Sequence, residues 1–398
     1  MSISAEPDGP AKFASGYATL VAMTFASVAS APTPIYHLYQ ETLGVTPAMI
    51  TLIFAVYAIT IIAAFLTLAR LSDFVGRKPM VFAALALNAL ALVLFLGAGS
   101  SATLLAARAA QGLATGIAFA TLGAMITDAT PKLAATLNSV MVFAGMTAGS
   151  LLAGACVAYL PAPTHLVFAI LLGLTLLELA VLGFVRETVS RKPGALSVLR
   201  PSVTVPAAAA GPMLRLFPLT LSTWALGGFY LSLMPSLVIA ATGIRSPLMG
   251  AAVVSSLMLS GGVSVFALRG LPAQMAVQLA ALLLAIGITI TTLAIGFGSA
   301  AGMFLGTIVA GVGFGSAYGA SLRSLLPHAA SHERAGLLSA YLIESYLAFS
   351  LPAVGAGLAV ARFGLVTTAL VYGTALVMCA VATLVIERAV MPRAVPST

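Results

Sequence analysis

Residues 70–79 read RLSDFVGRKP, and they interrupt two apolar runs of the length that crosses a bilayer. Three of the chain's eighteen Lys and Arg residues and one of its ten acids fall in these ten positions. Elsewhere charge is scarce: 7% of the residues are charged and 61% apolar, so a water-soluble chain of 398 residues would lack the polar groups to cover its surface. The charged stretch is therefore a turn between membrane spans. A bilayer core roughly 30 Å thick takes about 20 apolar residues per helix. Twelve such runs follow, at 14–36, 48–69, 80–99, 102–127, 135–160, 164–185, 214–238, 247–268, 273–297, 299–325, 336–360 and 364–386. They are long, unbroken and rich in Ala, Leu and Gly, without the ten-residue alternation of a barrel. The expected fold is an all-α integral membrane protein of twelve transmembrane helices, with the lipid bilayer as its first partner.

The net charge of +8 does not point to nucleic acid, because the basic residues are dispersed among short loops without interleaved aromatics. They report topology instead. With the N-terminus cytoplasmic, only Arg245 and Arg362 fall outside and Arg108 lies within a span; the other fifteen, Arg200 and Arg393 among them, fall on the cytoplasmic side. That bias predicts a multi-pass inner-membrane protein with both termini in the cytoplasm. The polar head with Glu6 and Asp8 lacks a basic n-region and a cleavage site, so the first span reads as retained. Cys156 and Cys379 sit in spans of different halves and read as small apolar packing residues.

The most polar stretch, RETVSRKPGALSVLRPS from Arg186, falls midway between six spans and six. The expected division is a first bundle over 1–185, a cytoplasmic linker over 186–213 and a second bundle over 214–398. A shift of about 200 residues brings the halves into partial register, as in a parallel duplication around a midplane cavity. Gly112 and Gly116 then meet Gly311 and Gly315, and SLLAGA from Ser150 meets SLPAVG from Ser350. Small residues at four-residue spacing, Gly145, Gly149 and Ala153 in span five and Gly311, Gly315 and Gly319 in span ten, allow close helix packing. The same smooth faces are compatible with bundles that rock against each other.

Within the opening stretch Gly76 permits a tight backbone, Pro79 suits the first turn of span three, and Arg77 and Lys78 hold the loop inside. Asp73 is not explained by topology. The stretch ARLSDFVGRKP resembles the loop signature of the major facilitator superfamily, G-x-x-x-D-R-x-G-R-R/K. Asp73, Gly76, Arg77 and Lys78 match it, while Ala69 and Phe74 depart from it. A second signature, R-x-x-Q-G, is matched in span four by Arg108, Gln111 and Gly112. The resemblance covers essentially the whole chain. It implies two six-helix bundles related by a pseudo-twofold axis, and alternating access. It further implies a latch of Asp73, Arg77 and Asp128 at the cytoplasmic seam, with Asp73 facing the N-terminal end of span eleven and favouring the outward-open state.

Two ionisable residues within spans invite functional roles. An Arg at mid-span costs at least roughly 2.5 to 3.5 kcal/mol without a partner, so Arg108 is expected to face the cavity or a partner. In relatives its equivalent serves proton transfer or an anionic substrate; structural pairing and snorkelling are the alternatives. Glu344, in AYLIESYLAF of span eleven, is a candidate for the carboxylate that carries the coupling proton, or else a helix-bonding residue. Glu178 in span six reads as a peripheral packing or snorkelling residue. The aromatics of STWALGGFYLSLMP, Trp224, Phe229 and Tyr230, are expected to line the substrate cavity. Tyr36, His37 and Tyr39 follow Pro32 and Pro34 and read as an interfacial belt. His328 and His332 have i, i+4 spacing but no supporting ligands and read as solvated loop, so no metal site is assigned. Pro352 is placed to kink span eleven.

No phosphate loop of the form G-x-x-x-x-G-K-S/T appears, so nucleotide drive and enzyme activity are not expected, and no catalytic residue or bound cofactor is assigned. The expected function is secondary transport of a small organic solute by a monomer, with the proton as coupling ion. Drug/proton antiport is the first reading, although GMTAGSLLAG, from Gly145, has Ser150 where the antiporter motif G-x-x-x-G-P-x-x-G-G has Pro. Symport or uniport of an organic anion with Arg108 as counter-charge is the alternative, followed by a transport-dead receptor or scaffold.

Overall fold

A computed structural model describes residues 9–195, 199, 201, 203–330 and 333–390. Glu6, Asp8, Arg200, His332 and Arg393 lie outside the described residues. The helices are α1 Gly9–Ser30, α2 Tyr36–Leu43, α3 Pro47–Thr67, α4 Ser72–Val75, α5 Arg77–Leu96, α6 Ser101–Ala129, α7 Pro131–Tyr159 and α8 Leu166–Val181 in the first half. The second half has α9 Ala207–Ser232, α10 Met234–Thr242, α11 Pro247–Ala267, α12 Ala273–Gly296, α13 Ala300–Leu325, α14 Arg334–Phe363 and α15 Leu365–Val390. Among the described residues eleven segments are long and apolar enough to cross a membrane, and α9 with α10 forms a twelfth bent by 71°.

Both departures from straight spans come from proline. Pro235 has no N–H to return to the Leu231 carbonyl, so the seventh span breaks there. The Thr33 hydroxyl donates to that carbonyl from the other half at 2.9 Å. In the first span Pro32 likewise leaves the Val28 carbonyl without its helical donor, and a 3₁₀ turn over Thr33–Ile35 separates α1 from α2. Polar side chains satisfy the backbone that proline leaves open, the condition for a broken helix within a membrane. Pro352, expected to kink span eleven, lies inside α14, which runs unbroken past it.

The duplication is visible in matched details. The Ser100 side chain caps α6 by accepting from Thr103 N, and Ser299 caps α13 by accepting from Gly302 N. A Cβ on Gly112 would collide with Thr60 and the Tyr57 carbonyl of α3, and one on Gly311 with Ser260 and the Leu257 carbonyl of α11. Each half therefore uses the same glycine to draw its fourth span against its second. The glycines of span five do the same within the first bundle, where Gly145 abuts Met23 and Ala26, and Gly149 abuts Ser27. These stripes thus bind helices inside a bundle rather than forming the smooth faces between bundles. A Cβ on Gly319 would meet only Arg323 of its own helix.

Between bundles, α3 packs on α14 and α7 on α11. α9 already begins at Ala207, so it takes up the last residues of the expected 186–213 linker. We call the end that carries the rest of the linker the linker face and the opposite end the far face. Among the described residues four hydrogen bonds join the bundles directly: Thr33 to Leu231, Ser236 to Gln40, Ser150 to Ala251 and Ser255 to Thr147. All lie in the far half of the seam. The structure is thus knit shut on the far face.

Candidate functional site

The broken first span sets up the Arg108 site. Gln111 Nε2 donates to the Val28 carbonyl at 2.7 Å, the group that Pro32 leaves open. One turn earlier on α6, Arg108 Nη1 donates to the Ala29 carbonyl at 3.1 Å and to Gln111 Oε1 at 2.6 Å. Its Nε and Nη2 both donate to the Tyr36 hydroxyl, at 3.0 and 2.5 Å. The guanidinium also stands within 6 Å of three ring centroids, Tyr36, Tyr57 and Phe95, close enough for cation–π attraction. Arg108 is completely buried. Among the described residues ion pairs are made only by Arg77, so no carboxylate neutralises Arg108. Its hydrogen bonds are satisfied and its charge is not.

Tyr36 and Tyr39 are therefore not belt residues. Both are buried, Tyr36 as the principal partner of Arg108 and Tyr39 with an unpartnered hydroxyl. The turn forced by the prolines carries them back into the bundle.

From Arg108 a file of aromatic rings crosses the seam. Tyr57 packs in one cluster with Ala29, Ile61, Phe65 and Tyr346, the last from the other bundle. Phe65 lies 6.3 Å from Tyr346 and Phe54 lies 4.7 Å from Phe349, ring centre to ring centre. Trp224 stands 5.4 Å from Tyr346, 6.1 Å from Phe349 and 6.1 Å from Tyr318. The expected midplane cavity is thus occupied by rings from both halves in this conformation.

Behind Trp224 lies a group of polar atoms. Glu344 Oε1, Ser345 Oγ, Ser321 Oγ and Trp224 Nε1 are buried atoms without a partner in strict hydrogen-bond geometry, although Ser321 and Trp224 lie near the Tyr341 hydroxyl. Thr220 stands beside the Glu344 carboxyl, and the Tyr341 hydroxyl lies among Thr220, Ser321 and Trp224.

Phe229 and Tyr230 do not join this layer. Phe229 stacks on Tyr372 at 4.7 Å, and the Tyr230 hydroxyl shares a 2.7 Å bond with Thr307. Both pack inside the second bundle, because residues five and six positions beyond Trp224 on a helix point away from it. Of the three expected cavity aromatics only Trp224 faces the seam.

The charged turn is a compact network at the linker face. Arg77 Nη1 donates to Asp73 Oδ1 and to Ser72 Oγ, both at 2.6 Å, and its Nε donates to Asp128 Oδ2 at 3.1 Å. Gly76, at φ 103°, lets the chain turn into α5 in a conformation that L side chains rarely adopt. Glu187, which sequence reasoning passed over, closes the network. Its two oxygens accept from Arg77 N at 2.9 Å and Lys78 N at 3.0 Å, the first free amides of α5. Thr188 Oγ1 donates to Asp128 and Lys192 N to the Phe74 carbonyl. Every partner of the cluster among the described residues belongs to the first bundle or the linker. Among the described residues Asp73 does not make the expected bond to the start of span eleven; its carboxylate is half exposed and turned to Arg77.

Glu178 is buried rather than snorkelling, accepting from Thr24 at 2.5 Å with its other oxygen unbonded. His328 Nδ1 bonds the Ser324 carbonyl, and no group of metal-ligating side chains occurs among the described residues. Both cysteines are free.

A family model described as Major Facilitator Superfamily matches residues 18–351. Among solved structures, a bacterial homologue of the human lysosomal transporter Spinster, inward-facing and unoccupied, is similar at 14% identity, with 96% of this chain and 98% of that one covered and a TM-score of 0.76. A mutant of the nucleoside transporter NupG aligns at 13% identity over 94% of this chain and 99% of its own, TM-score 0.73. A POT family transporter in complex with 5-aminolevulinic acid gives 11% identity, 98% of each chain and 0.77. At such identities the likeness establishes the fold. No curated protein matches the chain.

Proposed function

Because the chain belongs to the major facilitator superfamily of secondary transporters, we propose that it carries a small, largely apolar organic solute by alternating access, driven by a proton held on Glu344. The observation that carries this reading is the seam itself. An uncompensated buried cation, Arg108, and a part-buried carboxyl, Glu344, with Thr220 beside it, stand in opposite bundles with a file of aromatic rings between them. Rings that part when the bundles rock offer flat apolar walls, which suits a solute with an aromatic or extended apolar body. Thr220 supplies a donor beside the carboxyl, and Trp224 and Ser321 gather at the neighbouring Tyr341 hydroxyl.

In this reading the linker face is cytoplasmic, and the bonded far face is the closed outer door. Antiport is the first mode: solute and proton compete for the polar group behind Trp224, so loading one expels the other. Symport of an organic anion is the second mode, and the absence of any carboxylate partner for Arg108 among the described residues favours it.

Purified protein in liposomes with an internal pH dye separates the modes. A panel of aromatic cations, neutral drugs and carboxylates is offered under an imposed pH gradient. Antiport gives proton movement opposite to the solute, and symport gives movement with it. A transported solute that moves no protons in either direction overturns the proton-driven reading.

A further inference from the structure

Glu178 of α8 has no part in the transport reading. It is only 7% exposed, and among the described residues no Lys, Arg or His pairs with it. Two successive turns of α1 are fastened to this one residue. The Tyr17 hydroxyl donates to its backbone carbonyl at 2.8 Å, and the Thr24 hydroxyl donates to its Oε1 at 2.5 Å. One turn before Glu178, on the same face of α8, Thr175 accepts from Asn88 Nδ2 of α5 at 3.1 Å and donates to the Leu171 carbonyl. Asn88 and Thr175 are completely buried. Three helices of the first bundle thus enclose a polar layer whose unpartnered atoms are both oxygens, Glu178 Oε2 and Asn88 Oδ1. What the layer lacks is a donor.

No neighbouring charge supplies it. α8 packs on α5, α1 and α7. Of the titratable and charged side chains on these helices, Lys12, Lys132 and Tyr159 are exposed, and Arg77 is bound in the charged turn. Lys78 reaches the Gly183 carbonyl, and Cys156 packs with Val167, Phe168 and Leu171 toward the opposite end of α8. Tyr17 spends its one O–H on the backbone. An ionised carboxylate here holds a full charge in a dry interior with a single hydroxyl to solvate it, which is costly within a membrane span. A proton on Oε2 removes the charge and turns a surplus acceptor into a donor. We propose that Glu178 is a proton-binding site distinct from Glu344, a neutral acid that clamps α8 to α1, and that loss of its proton loosens the clamp. The ionised carboxylate then draws water between the two helices, because Thr24 alone cannot solvate it. One turn beyond Thr24 on α1 stand the Val28 and Ala29 carbonyls that hold Gln111 and Arg108, so the state of the clamp reaches the Arg108 site through α1. The inference stands apart from the transport reading, since the site lies inside the first bundle and its test uses no solute.

Infrared spectroscopy of the purified full-length protein in deuterated buffer reads the proton directly. At neutral pH the absorption of protonated carboxyl groups is expected to lose a component in Glu178→Gln and to keep that component in Glu344→Gln. Amide exchange across residues 17–24 of α1, divided by the intrinsic rate, is expected to rise about tenfold per pH unit in the wild type, the slope for release of one proton, and to stay level in Glu178→Gln. Should Glu178→Gln fail to fold, Glu178→Met is measured by the same absorption. A monodisperse variant that retains the full protonated absorption overturns the proposal, as does wild-type exchange over 17–24 that does not follow pH. So does a wild-type carboxylate absorption that shifts when sodium replaces potassium at constant pH and is lost in Glu178→Gln, which would make the site one for a metal cation.

Discussion

One turn before the glycine that draws the fourth span against the second, the first bundle carries Arg108 and the second carries Thr307. Both side chains are completely buried, and each bonds a tyrosine from the first span of its own bundle, Tyr36 or Tyr230. The packing around them is repeated down to the carbonyl each glycine touches, yet one site holds a full positive charge and the other a neutral hydroxyl. Glu344 reverses the bias. A shift of 200 residues puts Ala144 in its place in the first bundle. Duplication kept the register of helix contacts, which any substitution larger than Gly disturbs, and let the polar residues diverge. The first bundle became the cationic half of the seam and the second the acidic half.

The sharpest way to break this contrast is to remove the cation. Arg108→Ala strands the Tyr36 hydroxyl, the Gln111 carbonyl and the Ala29 carbonyl in a dry interior. Losing charge-assisted bonds of this kind costs about 3 kcal/mol or more, so solute flux in liposomes should fall about 100-fold and solute binding with it. Arg108→Lys keeps the charge but not the fork, and should fall between. The matching change in the second bundle, Thr307→Val, removes one neutral bond and should leave flux within about threefold of wild type, the effect of about 0.6 kcal/mol. Equal damage from Arg108→Ala and Thr307→Val would mean that both are packing residues.

Removing the acid is the next largest effect. Glu344→Gln keeps size and hydrogen bonding but cannot release a proton. Gradient-driven flux should drop about tenfold, equivalent to about 1.4 kcal/mol, while solute exchange without a gradient continues. Loss of exchange as well as drive would assign Glu344 to solute binding.

Much of this arrangement was legible in the residues. Ten of the spans fall within about four residues of the runs read from composition, because a bilayer leaves little freedom in length or in backbone bonding, while the proline-broken first and seventh overrun theirs by up to seven. Arg108 stands out because charge inside a span is rare, whereas Gln111 and the Asp73–Arg77–Asp128 triangle are legible through the resemblance of their stretches to the family signatures. What could not be read was direction. Tyr36 and Tyr39 looked interfacial because a proline usually ends a span, whereas here the chain turns and carries them inward. Phe229 and Tyr230 share a stretch with Trp224 but point elsewhere, since only about one side of a helix meets a given neighbour. Glu187 had no signal of its own; its position opposite the amides of Arg77 and Lys78 exists only once the linker folds back.

The glycine pair tests whether the repeat is as even as it looks. Gly112→Ala pushes into Thr60 and the Tyr57 carbonyl, and Gly311→Ala into Ser260 and the Leu257 carbonyl. Overpacking of this sort costs about 1 to 3 kcal/mol, and the two variants should lower the thermal midpoint alike. Their activities should differ, because Tyr57 also faces the Arg108 guanidinium at 5.2 Å and Leu257 has no such neighbour. A similar fall in activity for both would place the functional asymmetry somewhere other than around Arg108.

The smallest effects belong to the linker face, where the contrast lies within one network. Asp73 is half exposed and reaches Arg77 alone, while Glu187 receives two backbone amides of α5 and belongs to the linker. Asp73→Asn gives up one screened ion pair, about 0.2 to 1 kcal/mol. It should slow turnover about twofold to threefold with solute binding unchanged. Glu187→Gln turns an amide NH₂ toward a backbone N–H that needs an acceptor, and it removes a negative charge from a helix N-terminus, about 1 kcal/mol. It should loosen the linker as well, seen as faster amide exchange at Lys192, whose N–H bonds the Phe74 carbonyl. If Asp73→Asn loosens Lys192 and Glu187→Gln does not, the hold on the linker runs through the turn's own acid, and Glu187 is only a cap.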